Sequence, residues 1–393
     1  MSGITGIGNT FNLPNYHGEL FSISPAETPF LSAIGGLTGG GQTDDYEAEW
    51  QTSDLRDPSD RQRLEGAAAP TAEERVRANV RNVAEIHQEK VSVSYTKQAT
   101  TGRYATAGSG PANPVVNELD WQVAQAVKQV AIDVNYSFLN GEYNLQSDNT
   151  TVRKTRGLLQ AISTNAVNKG TAVTGISTAT DTFTKSSHGL SNGDKVVFTK
   201  VDAMSGIVKG RVYYVVNSST TFKVAATSGG SAITVGSASG VELIKLWSTT
   251  LTVADHLNPF FAQVYDNGGL GTLPVIVVNS AQKLAVSAAY ANAYAKADPL
   301  GRGESVGGVA IDTIVTDFGT FGIMLDRQMP QDGLAVVSLD ECQPFFLNVP
   351  GKGVFFEESL SKTGASEDVQ LYGEIGLKYG AERHHGVLRG LAA

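Results

Sequence analysis

The sequence has little cysteine and no long apolar run. Cys342 is the single cysteine among 393 residues, so no disulfide can form within the chain and nothing requires an oxidising compartment. The longest aliphatic runs, such as 275–278, are about four residues, whereas a membrane-spanning helix needs roughly 18. The N-terminus has neither a charged region nor an apolar stretch typical of a signal peptide. We therefore expect that the protein is synthesised in the cytosol and does not associate with a membrane.

Basic residues are fewer than acidic ones. Lys and Arg total 30 against 39 Asp and Glu, which gives a net charge of -9. This balance provides no global attraction for a nucleic-acid backbone and argues against tight non-specific DNA binding. Hydrophobic residues make up 41% of the chain, enough for at least one sizeable core, and the 43 glycines indicate many turns and loops.

Patterns for catalysis, cofactors or metals are weak. Ser359 and Lys362 match one serine β-lactamase motif and 362–364 matches another, but the two share Lys362, whereas the chemistry needs separate elements. Glycines in 301–307 lack dinucleotide-loop spacing. The six histidines have neither Cys partners nor an i, i+4 pair, which disfavours zinc. We predict no catalytic residues, no cofactor and no metal. We therefore expect that the protein is not an enzyme.

The first 95 residues divide at a change in charge. Residues 1–43 are poor in charge and punctuated by Gly, Pro and Asn, which predicts an extended arm whose apolar side chains must be covered by something else. Within 44–95, apolar residues alternate with polar ones at 46–51 and again at 91–95, which predicts two half-buried strands. We interpret them as a long two-stranded arm with a polar tip. A simple solvated loop fits the tip equally well.

Interleaved opposite charges in the tip suit contact with a neighbouring copy, because charge complementarity can set the register of an interface. Apolar side chains of the first arm suit the same role. The candidate inter-subunit contact residues are Arg56, Asp57, Arg61, Arg63, Glu65, Phe21 and Phe30.

One long amphipathic helix is predicted over 113–141. Asn113 is a suitable N-cap, Pro114 fits the first helical position, and Gly141 is expected to end the helix in a left-handed conformation. Apolar residues recur at three-four spacing over about six turns. A helix of this length would span about 40 Å.

Residues 171–246 differ in composition from the rest. Of these 76 residues, 22 are Ser or Thr, and short β-prone runs are separated by turn clusters. A small inserted all-β domain explains this pattern, because 158–162 before it and 257–264 after it have helical, apolar character. Beyond it, a buried strand at 275–278, a helix from Ser280 and further strands predict an α+β fold.

Three stretches resemble the major capsid proteins of tailed bacteriophages, which have the Hong Kong 97 fold. They are 138–141 followed by Gly-Leu-Leu at 157–159, the strand 274–279 with the helix after it, and 23–30. The resemblance implies an N-arm at 1–43, an E-loop at 44–95 and a peripheral domain at 96–170 containing the spine helix. It further implies a mainly axial domain at 247–340 and a return to the peripheral domain at 341–393. The inserted domain, 171–246, would lie on the outer surface.

The function implied by this resemblance is a self-assembling shell protein of a tailed double-stranded DNA phage. Its pentamers and hexamers would enclose the genome without sequence-specific binding, and it would assemble in the host cytoplasm and remain in the virion. A separate scaffolding protein, a portal and decoration proteins are the implied partners. Two alternatives remain: an encapsulin-like nanocompartment with the same fold, and a glycan-binding structural protein acting through the β insertion.

Overall fold

The computed structural model describes most of the chain, and its helices are few. The described residues are 26–56, 58–99, 117–168, 170–185, 187–201, 204–238, 240–269, 271–297, 313–361 and 364–392. The α-helices are α1 Pro29–Ile34, α2 Tyr95–Ala99, α3 Glu118–Asn140, α4 Leu158–Ala161, α5 Asn258–Asn267 and α6 Ser280–Ala297. A π-helical turn, Val253–Leu257, leads directly into α5.

Strands form most of the remaining regular structure. The first twelve are β1 Gly41–Thr43, β2 Glu47–Ser53, β3 Arg77–Val83, β4 Glu85–Ser94, β5 Ala166–Val167, β6 Thr171–Ala172, β7 Gly175–Ser177, β8 Thr182–Thr184, β9 Lys195–Lys200, β10 Val212–Val216, β11 Thr221–Ala225 and β12 Glu242–Lys245. The others are β13 Pro274–Val278, β14 Thr313–Thr316, β15 Gly319–Leu325, β16 Gly333–Ser338, β17 Gln343–Leu347, β18 Phe355–Ser359, β19 Ser366–Lys378 and β20 Gly386–Arg389. The fold is α+β, as the sequence predicted.

A five-stranded sheet packs on the long helix α3. Its strand order is β1-β17-β19-β18, and β4 pairs with β19 over ten residues. Val91 and Val93 of β4 are buried with Ala126 of α3, and further along the helix Val134 and Phe138 enter the main core. The long helix therefore lies across this sheet as the central support of this part of the molecule.

The second sheet has six strands in the order β14-β15-β13-β16-β20-β5. β13 is parallel to β15 and antiparallel to β16, so its four-residue apolar run is enclosed between two neighbours. One face packs in the core that contains α3, and the other packs on a separate cluster around Phe260 and Phe261 of α5. Burial on both faces explains why β13 is continuously apolar instead of alternating.

Strands β6 to β12 form a third sheet and a third core. Their order is β6-β12-β9-β10-β11-β8-β7, and β6 and β7 at its two ends are consecutive in the chain. Between them, Val173 N donates to Val241 O and Thr174 N donates to Thr184 O, each at 2.8 Å. The chain thus passes directly from one end of the sheet to the other, and the strands, hereafter the barrel, surround a core that contains stacked Phe183 and Phe222.

The long helix begins later than the sequence predicted. The described helix starts at Glu118, and Asn117 is its N-cap, because Asn117 Oδ1 accepts a hydrogen bond from Leu119 N at 3.1 Å. Residues 113–116, which include the predicted cap Asn113, lie outside the described residues. Asp120 adds a negative charge to the first turn, where the helix dipole favours it.

The expectation that Gly141 ends the helix in a left-handed conformation is wrong. Its φ is -58°, which any residue can adopt. A Cβ on Gly141 would instead lie 2.4 Å from Ser137 O and 2.6 Å from Thr155 O, and a Cβ on Gly157 would lie 2.4 Å from Gly141 N. Glycine is required because the returning chain passes against the helix end, with Gly157 N bonded to Gly141 O at 3.0 Å.

The predicted pairing of the two strands in 44–95 is also wrong. β2 pairs with β3 in a separate two-stranded ribbon, from Glu47 opposite Val83 to Ser53 opposite Arg77. The alternating run at 91–95 instead ends β4, which pairs with β19, and Tyr95 begins α2. The cause is burial: Val91 and Val93 of β4 are buried together with Ala126 of α3 and Leu371 of β19.

Candidate assembly surface

The candidate surface is the hairpin formed by β2, β3 and the segment that connects them, residues 54–76, hereafter the tip. Trp50 fixes the hairpin to the body. Its Nε1 donates to Gly380 O at 2.8 Å, and its ring meets Tyr379 edge-on with centroids 5.0 Å apart. The alternation that predicted β2 therefore marks a face that rests on the C-terminal part of the body.

Asn82 provides a second, fully buried anchor. Its Nδ2 donates to Leu377 O at 2.7 Å and to Arg156 O at 3.1 Å, while its Oδ1 accepts from Arg156 N at 2.7 Å and from Val83 N at 2.9 Å. All its hydrogen-bonding groups are thus used, which a buried amide requires. One side chain joins the hairpin to β19 and to the segment that follows α3.

A third contact is between a guanidinium group of the body and an aromatic ring at the start of the hairpin. The Arg153 guanidinium pairs with Glu374 and lies 5.3 Å from the ring centre of Tyr46, just before β2. Tyr372 Oη donates to Glu374 Oε1 at 2.7 Å. Burial, helped by Glu374, raises the pKa of Tyr372 to about 12, so this phenol stays neutral and keeps its proton for the hydrogen bond. The base of the hairpin is therefore held by several independent contacts.

The tip, in contrast, is uncovered. Leu55 and Leu64 are 82% and 87% exposed, and Val76 is 73% exposed. No helix or strand occurs among the described residues of 54–76. These apolar side chains are therefore available for another molecule to cover.

Charged residues of the tip are partly paired within it. Glu73 pairs with Arg61, with Arg75 at 3.3 Å and with Arg56 at 3.6 Å. The hydrogen bond from Arg61, followed by that from Arg75, lowers the pKa of Glu73. The cluster therefore holds the tip together around one carboxylate.

The predicted contact residues fall into three groups. Arg56 and Arg61 belong to the Glu73 cluster, whereas Arg63 and Glu65 are exposed and make no ion pair with the described part of the chain. Phe21 and Asp57 lie outside the described residues. The third group is Phe30 alone.

The prediction that Phe30 contacts a neighbouring subunit is wrong. It is 0% exposed and lies in α1, which packs on α3 within the same protomer, so its side chain is not available to a neighbouring subunit. Leu31 N donates to Asn135 Oδ1 at 2.9 Å, and Asn135 Nδ2 donates to Asp326 Oδ2 at 3.0 Å. The apolar residues of α1 do need a cover, as the sequence suggested, but their own chain provides it.

The residues that anchor the hairpin were not identified from the sequence. In the sequence, Trp50 stands out only as part of an alternating run, and Asn82 lies in a polar stretch without any pattern. The signal that was available is an aromatic residue with a polar edge in a strand, since a partly buried indole N–H usually finds an acceptor. A single buried Asn gives no comparable signal.

Features of other site classes are not found in the described part of the chain. No group of three or more His, Cys, Asp or Glu residues there is placed to hold a metal ion. None of the described helices is both long and apolar enough to cross a membrane.

Comparisons with known proteins place the whole chain in one family. No curated protein matches the sequence. Two solved phage capsid chains match over nearly their full length. A chain of the cyanophage A-1(L) capsid asymmetric unit has 11% identity and a TM-score of 0.56, covering 98% of this chain and 99% of that one. A chain of the cyanophage P-SCSP1u capsid has 11% identity and a TM-score of 0.50, covering 97% and 93%.

These likenesses show the fold, which is the Hong Kong 97 type found in phage capsids, as the sequence resemblance implied. The family model described as "SU10 major capsid protein" matches residues 3–392. This match supports the capsid interpretation and gives no support to the glycan-binding alternative. The protein is a structural component of a phage capsid shell, and the chain belongs to the SU10 major capsid protein family.

Proposed function

We propose that this chain forms the hexamers and pentamers of an icosahedral shell that encloses the double-stranded DNA of a tailed phage. The observation that carries the proposal is the contrast within the hairpin: its base is fixed by Trp50 and Asn82, while Leu55 and Leu64 at the tip are 82% and 87% exposed. A two-stranded ribbon is marginally stable by itself, so a rigid base with an uncovered end suits insertion against a neighbour.

The proposed division of the chain follows the family's plan. Residues 1–43 act as the N-arm, 44–95 as the E-loop, and 96–170 with 341–393 as the peripheral domain; 247–340 is mainly the axial domain. Residues 171–246 act as an inserted domain on the outer surface. The barrel's separate core supports treating it as a domain of its own.

Contacts between subunits are proposed to use the tip and the first arm. Arg63 and Glu65, which have no ion-pair partner in the described part of their own chain, are available for a neighbour's charges. Arg56 and Arg61 keep the tip in shape through Glu73 and extend the charged surface. Asp57 and Phe21 retain their proposed contact role. Phe30 is withdrawn from this set because its own protomer buries it.

Other components complete the proposal. A separate scaffolding protein, a portal and decoration proteins are the proposed partners, and assembly takes place in the host cytoplasm. The net charge of -9 suits a container that holds DNA without adsorbing it. We assign no enzymatic activity, cofactor or metal to the chain.

The test is a double substitution at the tip, Leu55→Ser with Leu64→Ser, with Val208→Ser as the matched control. Val208 is 59% exposed and lies in the barrel. Shells are counted by negative-stain microscopy over a concentration series of purified protein. Each buried Leu is worth about 1.5–3 kcal/mol, so the concentration needed for assembly should rise roughly ten-fold or more in the tip variant and not in the control.

The unfolding midpoint of unassembled subunits should be unchanged in both variants, because none of the three side chains is buried within the protomer. Shells that form from the tip variant at the parental concentration would contradict the proposed role of the hairpin. Particles of the parent that package protein cargo and exclude DNA would instead support the encapsulin-like alternative.

A further inference from the structure

Two short connections join the barrel to the body. The chain enters between β5, which pairs with β20 of the body, and β6, which pairs with β12 of the barrel. It leaves through consecutive residues: Leu246 N donates to Lys195 O of the barrel at 2.9 Å, and Trp247 N donates to Gly390 O of the body at 2.6 Å. In the outgoing connection, the last residue bonded to the barrel is thus followed directly by a residue bonded to the body.

Asn168 joins both connections to the body. Its Nδ2 donates to Lys245 O, the last residue of β12, and to Arg389 O, the last residue of β20, each at 3.2 Å. Its φ is +56°, which non-glycine residues seldom adopt and which Asn tolerates better than most. This conformation turns the incoming chain so that the amide reaches both carbonyl groups.

Gly390 is matched to this side chain. A Cβ at that position would lie 1.9 Å from Asn168 Nδ2, and its φ of +83° also favours glycine. The same residue accepts the hydrogen bond of Trp247 N. Incoming connection, outgoing connection and C-terminal strand therefore meet within one small group of atoms.

A cleft of about 350 Å³ separates the barrel from the body beyond this junction, and Tyr136 and Phe198 line its two sides. Lys209 Nζ lies 2.6 Å from Glu142 Oε1 across it, but both side chains are about one-third exposed. Ion pairs with this exposure contribute little. The orientation of the barrel must therefore be set mainly at the junction.

We propose that Asn168 is a positioning residue that fixes the orientation of the barrel relative to the body. The barrel is then a rigid extension of strand β20 instead of a module on flexible connections, and any displacement of β20 moves it as one piece. The inference rests on the junction geometry and holds whether or not the barrel faces the outside of a shell.

The test compares Asn168→Gly with Asn217→Gly in the full-length chain. Asn217 also has a positive φ, +52°, but is an exposed turn residue within the barrel. Both substitutions keep the backbone conformation accessible and remove the same side chain. Spin labels are attached at Ser228→Cys in the barrel and Lys128→Cys on α3, both exposed. Burial raises the pKa of the Cys342 thiol, so it stays unlabelled.

Pulsed electron resonance then measures the distance between the two labels, with labelled chains diluted in unlabelled protein. Asn168→Gly should at least double the width of the distance distribution, while Asn217→Gly and Lys209→Ala should leave it as narrow as in the parent. An unchanged width in Asn168→Gly, or broadening only in Lys209→Ala, would overturn the proposal. So would unfolding of the body in Asn168→Gly by circular dichroism, since that would make Asn168 a stabilising residue.

Discussion

Trp50 stands edge-on to Tyr379 with ring centroids 5.0 Å apart, and its Nε1 reaches past that ring to the carbonyl oxygen of Gly380. One side chain of β2 thereby contacts the segment that precedes β20, the last strand of the described chain. This contact, together with those of Asn82 and Arg153, attaches the base of the hairpin to the body.

Trp50→Phe should loosen the hairpin without unfolding the protein. The substitution keeps an aromatic ring against Tyr379 but leaves Gly380 O without its donor, a loss of about 1 kcal/mol. Amide hydrogen exchange in β2 and β3 should therefore become about five-fold faster. Trp247→Phe, which alters an indole outside the hairpin, serves as the control. Equal exchange in Trp50→Phe and the parent would show that the N–H contact does not hold the ribbon.

Phe30→Ala should destabilise the isolated subunit. Removal of a fully buried Phe typically costs about 3–5 kcal/mol of unfolding free energy, measured here by urea denaturation of unassembled protein. Leu64→Ala at the exposed tip is the control and should change that free energy by less than about 0.5 kcal/mol. If Phe30→Ala were neutral in the isolated subunit yet blocked assembly, Phe30 would be a contact residue after all.

Gly141→Ala should be costly although its φ is ordinary. The new Cβ would meet two backbone oxygens at 2.4 and 2.6 Å, and separating the helix end from the returning chain should cost about 2–3 kcal/mol. A Cβ added at Gly41 would have no neighbouring atom within 4 Å, so Gly41→Ala should cost nothing comparable. Thermal unfolding of the two variants decides; equal midpoints would mean that this close approach is easily relaxed.

His385 should make the protein less stable in mild acid. Ser338 N donates to its Nδ1 at 3.2 Å and its Nε2 donates to Tyr379 O at 2.7 Å, so the buried ring is held neutral. Burial lowers the pKa of His385 below its usual value near 6.5. As the pH falls, His385 therefore takes up a proton in the unfolded chain before it does so in the folded chain. The contribution of the neutral ring to folding stability is complete above about pH 6.5 and declines as the pH falls below that value.

His385→Asn should flatten this dependence. The unfolding free energy of the parent should fall more steeply between about pH 7 and about pH 5 than that of the variant, whatever their absolute difference at neutral pH. Parallel curves would exclude His385 as the source of the acid sensitivity.

Asp368 should contribute to the acid dependence of folding stability at a lower pH than His385 does. The hydrogen bond from Lys90, followed by that from Ser92, lowers the pKa of Asp368 to about 2. Its contribution to stability is present above the usual Asp pKa of about 3.9 and is lost as the pH falls through about 2. Lys90→Met should move that loss to higher pH, seen as an earlier acid unfolding midpoint. Lys128→Met on the exposed face of α3 is the control, and an identical shift in both would contradict this assignment.

Local patterns in the sequence predicted local structure well. The three-four spacing found α3, and the run at 275–278 found β13, because each pattern depends only on residues close in the chain. Alternation at 91–95 identified a strand but not its partner, since the register pairs Val93 with Glu367, far along the chain, and nothing in β4 specifies β19. Strand pairing is decided by which surface buries the apolar face.

Single residues with tertiary roles were missed or misinterpreted for the same reason. Gly141 follows a helix, a position typical of a left-handed cap, yet it is needed for a close approach by a distant segment. The prediction that Phe30 contacts a neighbour is wrong because the sequence does not show whether an apolar arm folds back on its own body. Asn82 and Asn168 act through the carbonyl groups they reach, and those groups leave no trace in the residue pattern.

The arrangement of the barrel has a consequence for a protein present in many copies on one shell. Val173 and Thr174 carry the chain directly from β6 at one end of its sheet to β7 at the other, and each is bonded to the sheet, Val173 N to Val241 O and Thr174 N to Thr184 O. An open sheet repeated side by side at shell density would offer each copy's unpaired N–H and C=O groups to the next. The two end strands are only two and three residues long, so the barrel offers few such groups to another copy.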